Sequence, residues 1–193
     1  AITDALGITT RLEYDSAGRV RRFVHPGDRA VQFAFDSGGR IASITPPGRS
    51  AHTFTHAADN LIRSYTAPVV NGQSFVTRYD YNPDRQLSRI DQPDGSTIDF
   101  GYDASGRPSS LTYTGGVTTF TYYPVTGRPH TAGRGGSLLT LSFDGTLPTA
   151  TTWTGAISGI VARTFDGNFR VTSVGVNGQA IAQSYDFDGL LTA

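Results

Sequence analysis

The chain has 193 residues, no cysteine and no methionine, and its 16 basic residues balance 16 acidic ones. A zero net charge gives no electrostatic footprint for nucleic acid or for an anionic membrane surface, so we expect no nucleic-acid binding. The sequence has no apolar run near the length that a membrane helix needs, so we expect no membrane insertion. The lack of cysteine excludes disulfides and thiolate metal sites. All basic residues are arginine, and aspartate outnumbers glutamate by 15 to one. Because aspartate favours turns, and the 20 Phe and Tyr residues favour strands, this composition favours an all-β fold.

A short pattern recurs along the chain: an aromatic residue, usually Asp, two variable residues, Gly, Arg and an apolar residue. The clearest copies begin at Tyr14, Phe35 and Tyr102. We call the first residue of each copy its anchor. Nine anchors follow one another at intervals of 20 to 25 residues, and they are Tyr14, Phe35, His56, Tyr81, Tyr102, Tyr122, Phe143, Phe165 and Tyr185. A fixed period of this length indicates a repeat protein.

Each copy predicts a tight turn directly after its anchor. An Asp side chain can accept the backbone N–H two residues further on, and Gly can adopt the left-handed conformation that follows. The turn residues assigned on this basis are Asp15, Gly18, Asp36, Gly39, Asp103, Gly106, Asp186 and Gly189. A second glycine lies between successive anchors, often after Asn, Asp or Pro, as in hairpin turns. Two reversals in a unit of roughly 21 residues leave two strands, so each unit is predicted to be a β-hairpin.

The predicted strand before each anchor alternates between apolar and polar residues along the chain, as at 31–35. In the following strand, apolar residues such as Val20 and Phe23 are spaced by three, which predicts either a bulge or a first apolar residue tucked under the turn. The pattern is degenerate after His56, and one residue is inserted before Gly127. Segments 66–74 and 130–137 are expected to be irregular loops.

The chain offers few candidates for catalysis or metal binding. His52 and His56 would lie about 13 Å apart on one side of a strand, too far to share a metal ion. The aspartates recur at one repeat position, which indicates turn chemistry rather than a catalytic carboxylate pair. The stretch 133–136, Gly-Arg-Gly-Gly, could suit a phosphate but lacks a following Lys and a helix. We therefore predict no enzyme activity, no cofactor and no metal site.

The arginines at repeat positions 19, 40, 107 and 170 are predicted to form a ladder of ion pairs with neighbouring aspartates at the sheet surface. The anchor rings are predicted to stack on their equivalents in neighbouring hairpins, roughly 10 Å apart. An alternative stays open, in which the arginines and exposed aromatic residues such as Trp153 form a stripe that binds an anion or a glycan.

The repeated unit resembles the YD repeats of Rhs proteins, of shell components of insecticidal toxin complexes, and of teneurins. The resemblance runs from 3–7, which looks like the tail of an earlier unit, to 185–191. It implies an all-β fold of tandem β-hairpins in a curved or spiralling antiparallel sheet, a segment of a shell. It further implies a single array over 1–193, of about nine units, from a longer bacterial protein that is secreted or at the cell surface. The chain has no Asp-Pro dipeptide, so the family's self-cleavage motif is not carried over.

Two functions follow from the resemblance and the residues together. The first is a structural scaffold, a hairpin wall that encloses, carries or displays a toxin-like or effector segment of a larger Rhs-type protein. Its partners would be the rest of that protein or its cargo, and exposed strand edges could self-associate. The alternative is an extracellular binding or adhesion module that recognises carbohydrate or protein on an aromatic and arginine-rich face.

Overall fold

The computed structural model describes residues 1–7 and 9–192, and it confirms the all-β prediction. The described residues form 18 strands, and strands that follow one another along the chain pair antiparallel. Within the described residues, the only helical element is a short 3-10 turn at Pro26–Asp28. No helix in this part of the chain is long and apolar enough to cross a membrane.

The chain divides into two compact units, Ala1–Ile98 and Asp99–Ala193. The strands up to this division are β1 Ile2–Thr3, β2 Thr9–Tyr14, β3 Val20–Val24, β4 Ala30–Phe35, β5 Ile41–Thr45, β6 His52–His56, β7 Ile62–Thr66, β8 Val76–Tyr81 and β9 Leu87–Asp91. The division falls within β10 (Thr97–Tyr102). The remaining strands are β11 Pro108–Tyr113, β12 Gly116–Tyr122, β13 Pro129–Arg134, β14 Ser137–Asp144, β15 Leu147–Thr154, β16 Gly159–Phe165, β17 Val171–Val176 and β18 Gln179–Ala182. That one array extends over 1–193 stays a prediction, and Ala193 itself lies outside the described residues.

The hairpins carry a bulge beside the anchor. Glu13 pairs with Arg22, but the anchor Tyr14 pairs with Val20, so Arg21 is an extra residue in the second strand. The same register shift occurs in the β4–β5, β6–β7, β8–β9, β12–β13, β14–β15 and β16–β17 hairpins. The bulge explains the spacing of three between apolar residues such as Val20 and Phe23. Of the two explanations that the sequence left open, the structure shows the bulge.

The sheet encloses very little core of its own. Among the described residues, only Val24 and Ala30 are buried, with 3% and 8% of their surface exposed. Apolar side chains on strands cover one another only partly, as where the Phe54 and Tyr65 rings lie 5.4 Å apart, and Ile181 remains 75% exposed. Stability therefore comes mainly from contacts between neighbouring strands, as in other repeat proteins.

One of the two segments expected to be irregular is a regular hairpin. Residues 130–137 lie mostly in β13 and the start of β14, which are joined by Gly135 and Gly136 with φ values of 55° and 82°. Two consecutive positive φ values are typical of the tight turn that suits the twist of paired strands, so the expectation of a loop was wrong there. Residues 67–75, between β7 and β8, do lie outside the strands, and their reversal is at Asn71 and Gly72.

Candidate functional site

Four of the anchor turns share one hydrogen-bonded arrangement, which Asp103 illustrates. Its Oδ1 accepts the backbone N–H groups of Ser105 and Arg107 at 2.9 and 3.0 Å. Its Oδ2 accepts Arg107 Nε–H at 2.8 Å and lies 2.7 Å from Arg107 Nη2. One carboxylate thus closes the backbone turn and orients a guanidinium at the same time. The same bonds occur in the turns of Asp15 and Arg19, Asp36 and Arg40, and Asp166 and Arg170.

The structure shows the predicted pairing of these arginines with neighbouring aspartates, and each of the four ion pairs lies within a single turn. Asp103 N–H donates to the Arg107 carbonyl oxygen at 2.8 Å. This bond folds five residues into a closed loop, and both side chains leave it on the same side. The carboxylate of each turn is therefore already used by its own arginine.

The guanidinium makes the contact with the next copy. Arg107 Cζ lies 4.3 Å from the centre of the Tyr122 ring, which is the next anchor. Equivalent distances are 4.4 Å for Arg19 over Phe35, 5.4 Å for Arg128 over Phe143 and 4.7 Å for Arg170 over Tyr185. At these positions an arginine, not a neighbouring anchor ring, covers the ring face, which corrects the predicted stacking of ring on ring. Such cation–π contacts are favourable, and the planar guanidinium suits them.

We call this arrangement the Asp–Arg–ring tie: the Asp and Arg of one anchor turn together with the anchor ring of the next copy. Tyrosine anchors add a second contact with the preceding copy. The hydroxyl of Tyr122 donates to the Pro108 carbonyl oxygen at 2.8 Å, and that of Tyr185 to the Val171 carbonyl oxygen at 2.8 Å. Each acceptor directly follows the arginine of the earlier turn. Tyr122 and Tyr185 are therefore each held at the ring face and at the hydroxyl.

His56, the one anchor that is neither Tyr nor Phe, changes the tie. Its Nδ1 is buried without a hydrogen-bond partner and lies 3.6 Å from Asp36 Oδ2. Arg40 instead donates to the Ala57 carbonyl oxygen at 2.6 Å, and so binds the backbone of the next turn. His52, in the same strand, lies 2.7 Å from the Tyr65 hydroxyl through its Nδ1. Within 1–7 and 9–192, no group of three His, Asp or Glu residues is placed to hold a metal ion.

The structure places the sequence-assigned residues at equivalent points of successive hairpins. Seven anchors end a strand, while Phe143 is the penultimate residue of β14 and Tyr185 forms an isolated bridge with Leu191. The assigned turn glycines have φ values of 76° to 81°, and they are Gly18, Gly39, Gly106 and Gly189. In the turn of Asp186, Leu190 occupies the position of the arginine. That the anchors and turn residues are what maintains the array stays a prediction.

The ring contact of the arginines was missed by sequence reasoning, although a signal was present. The tie arginines precede the ring they contact by 15 or 16 residues. The spacing varies by only one residue because one hairpin separates the two positions. The contact of Arg134 with Tyr113, at 4.8 Å, has the opposite direction along the chain and no such repeat signal.

Acid is expected to weaken the turns. Hydrogen bonds from the backbone N–H of Arg19 and of Arg170 hold the pKa of Asp15 and of Asp166 below the usual value, and the Arg107 side chain does so for Asp103. Because the folded-state pKa is the lower one, the stabilisation is complete above the unfolded-state value of about 3.9 and is lost as the pH falls through the folded-state values.

The measurement is the urea midpoint from about pH 6 to about pH 2, compared with a variant carrying Asn at 15, 103 and 166. Asparagine can keep the acceptor, as Asn82 does when its Oδ1 accepts the Gln86 N–H at 2.9 Å. The variant should lose less stability below about pH 4 than the original chain. Identical pH profiles for the two proteins would contradict this explanation.

Phe169 occupies the left-handed position where most copies have glycine, with φ at 65° and 72% of its surface exposed. A side chain in this conformation costs about 1–2 kcal/mol, and glycine gives back part of that in backbone entropy. Phe169→Gly should therefore raise the free energy of unfolding by about 0.5–1 kcal/mol. Urea unfolding checks this, and a loss of stability would show that the Phe169 ring makes contacts that outweigh the strain.

Comparison with known proteins gives three findings. The family model described as teneurin YD-shell matches residues 1–189, and no curated protein matches the chain. Among solved structures, the crystal structure of TcdB2-TccC3-Cdc42 matches with a TM-score of 0.77 at 12% identity, over 98% of this chain and 12% of that one. TcdB2-TccC3 without its hypervariable C-terminal region gives a TM-score of 0.76 at 12% identity, with coverages of 98% and 12%.

The Tc holotoxin pore of Photorhabdus luminescens matches with a TM-score of 0.55 at 12% identity, over 94% of this chain and 12% of that one. At such identities the likeness shows the fold alone. The chain spans only about an eighth of the length of the proteins in these structures.

Proposed function

Because the chain belongs to the teneurin YD-shell family, we propose that it is a segment of a structural wall that encloses, carries or displays another part of a larger protein. The observation that carries this proposal is that successive hairpins are held to one another while almost no side chain is enclosed. A sheet built in this way grows by adding hairpins and does not need a core of its own. Such a sheet is suited to forming a wall between an enclosed segment and the solvent outside.

The partners that we propose are the remainder of the longer protein and a toxin-like or effector cargo. The first of these partners is supported by the length of the structural neighbours, because this chain covers only 12% of the matched protein. One of those neighbours is described as lacking a hypervariable C-terminal region, so a protein with this fold can also carry a variable segment. We further propose that the parent protein is secreted or displayed at the cell surface and that this segment performs no catalysis. The adhesion alternative stays a prediction.

Limited proteolysis of the full-length protein that contains the chain tests the enclosing role. The proposal expects slow cleavage of the segment that the wall encloses, and much faster cleavage of that segment when two ties are broken by Arg107→Ala and Arg170→Ala. The matched control is Arg49→Ala with Arg29→Ala, which removes two arginines outside the ties. Equal cleavage rates in the tie variant and in the control would overturn the proposal.

A further inference from the structure

A shallow groove of about 390 Å³ lies on one face of the second unit, across β13 to β15. Ala132 pairs with Leu139, and Leu139 pairs with Trp153, so these three side chains share one face of the sheet. Arg134 lies two residues after Ala132 and therefore on the same face, where it pairs with Ser137. The small side chains of Ala132 and Ser137 leave open space next to Trp153 and Arg134.

Trp153 provides a rigid apolar surface at one side of the groove. Gly159 lies directly opposite it in β16, and a Cβ at position 159 would lie 2.5 Å from Trp153 Cζ2. The indole therefore rests on the backbone of the next strand. Ile157, which is 78% exposed and also lines the groove, extends this apolar surface. A fixed aromatic ring binds an apolar side chain without first losing much conformational entropy.

Arg134 provides a fixed positive charge in the same groove. Its guanidinium lies over the Tyr113 ring at 4.8 Å and donates to the Gly115 carbonyl oxygen at 2.8 Å. Neither contact neutralises its charge, and the described residues that line the groove include no Asp or Glu. By contrast, four anchor-turn arginines each have a carboxylate in their own turn, and they are Arg19, Arg40, Arg107 and Arg170. The groove is therefore complementary to a group that carries a negative charge.

We propose that this groove binds an extended polypeptide segment that places an aliphatic side chain on Trp153 and a carboxylate on Arg134. The strands that carry these two residues are two apart, about 10 Å, and their partners in β14, Ser137 and Leu139, are about 7 Å apart along that strand, so the two positions are separated by about 12 Å. Side chains at positions i and i+4 of an extended peptide leave the same side about 13 Å apart, which matches this separation. A neutral sugar could stack on Trp153 but would provide no negative charge for Arg134. The proposal is independent of the wall function, because Arg134 belongs to no Asp–Arg–ring tie.

The test uses the full chain and the fluorescence of Trp153, which is its only tryptophan. The probes are the peptides acetyl-Leu-Ser-Ser-Ser-Asp-amide and acetyl-Leu-Ser-Ser-Ser-Asn-amide. We expect a saturable change in emission with the acidic peptide and roughly tenfold weaker binding of the neutral one, the effect of losing a charged hydrogen-bond partner. Arg134→Gln should abolish this preference and Arg134→Lys should keep part of it, while the control Arg49→Gln in the first unit should leave it unchanged.

Three results would overturn the proposal. Equal affinity for the two peptides would remove the role of Arg134. A neutral oligosaccharide such as maltotriose that saturates the Trp153 emission at lower concentration than the acidic peptide would assign the groove to carbohydrate. An emission that changes with protein concentration alone would assign it to a second copy of the chain. None of these results would alter the proteolysis outcome that tests the wall.

Discussion

Replacing Arg107 by alanine is expected to lower the free energy of unfolding by about 1–2 kcal/mol, the range of a partly buried cation–π contact with its supporting bonds. The change removes the guanidinium from the Tyr122 ring and leaves the Asp103 carboxylate without its side-chain donor. Arg107→Lys should recover less than half of the loss, because an ammonium group keeps the charge but lacks the planar fork. Equilibrium unfolding in urea measures all of these differences.

The matched control for this prediction is Arg49→Ala. Arg49 is an exposed arginine beside the turn at Gly48, outside the ties. Removing it should change stability by less than about 0.5 kcal/mol, as is usual for surface residues. If Arg107→Ala and Arg49→Ala had the same effect, the contact of Arg107 with the next hairpin would contribute nothing.

Gly155→Ala should be more damaging still, with a loss of about 2–4 kcal/mol. Gly155 has φ at 128°, a conformation that other residues rarely adopt, and a Cβ there would lie 2.9 Å from Ser137 Cα. Because the obstacle includes backbone, the β14 and β15 strands would have to separate at this end. The expected result is a lower urea midpoint and faster amide exchange in these two strands.

Gly167→Ala is the control for that substitution. Gly167 is outside the left-handed region, and no atom lies within 4 Å of the position a Cβ would take. Its replacement should change stability by no more than about 0.5 kcal/mol. Equal losses at 155 and 167 would mean that the cost comes from removing a glycine in general and not from the close approach of β14.

The hairpin fold was predictable because it depends on local chemistry. Asp103 and Gly106 determine a turn through bonds that span four residues, so the repeated pattern predicts hairpins from sequence alone. The bulge could not be predicted uniquely. A spacing of three between Val20 and Phe23 fits either a bulge or a first apolar residue tucked under the turn. The choice depends on how Tyr14 pairs across the hairpin, which periodicity does not specify.

Contacts between copies and the groove were harder to predict. Arg107 contacts two partners, the Asp103 carboxylate within its own turn and the Tyr122 ring in the next hairpin. The sequence pattern predicted only the pairing of arginine with aspartate. The proximity of Arg134 and Trp153 depends on the register of β13 to β15. That register includes a shift between Ser142 and Phe143, and a one-residue error would move Trp153 to the other face.

The central claim is that the guanidinium of one anchor turn holds the ring of the next hairpin. A double-mutant cycle on Arg107 and Tyr122, with Arg107→Ala, Tyr122→Leu and the double variant unfolded in urea, tests it most directly. The tie predicts a coupling energy of about 0.5–2 kcal/mol, and the same cycle on Arg49 and Tyr122 should give none. Additive effects of Arg107→Ala and Tyr122→Leu, with no coupling between them, would contradict it.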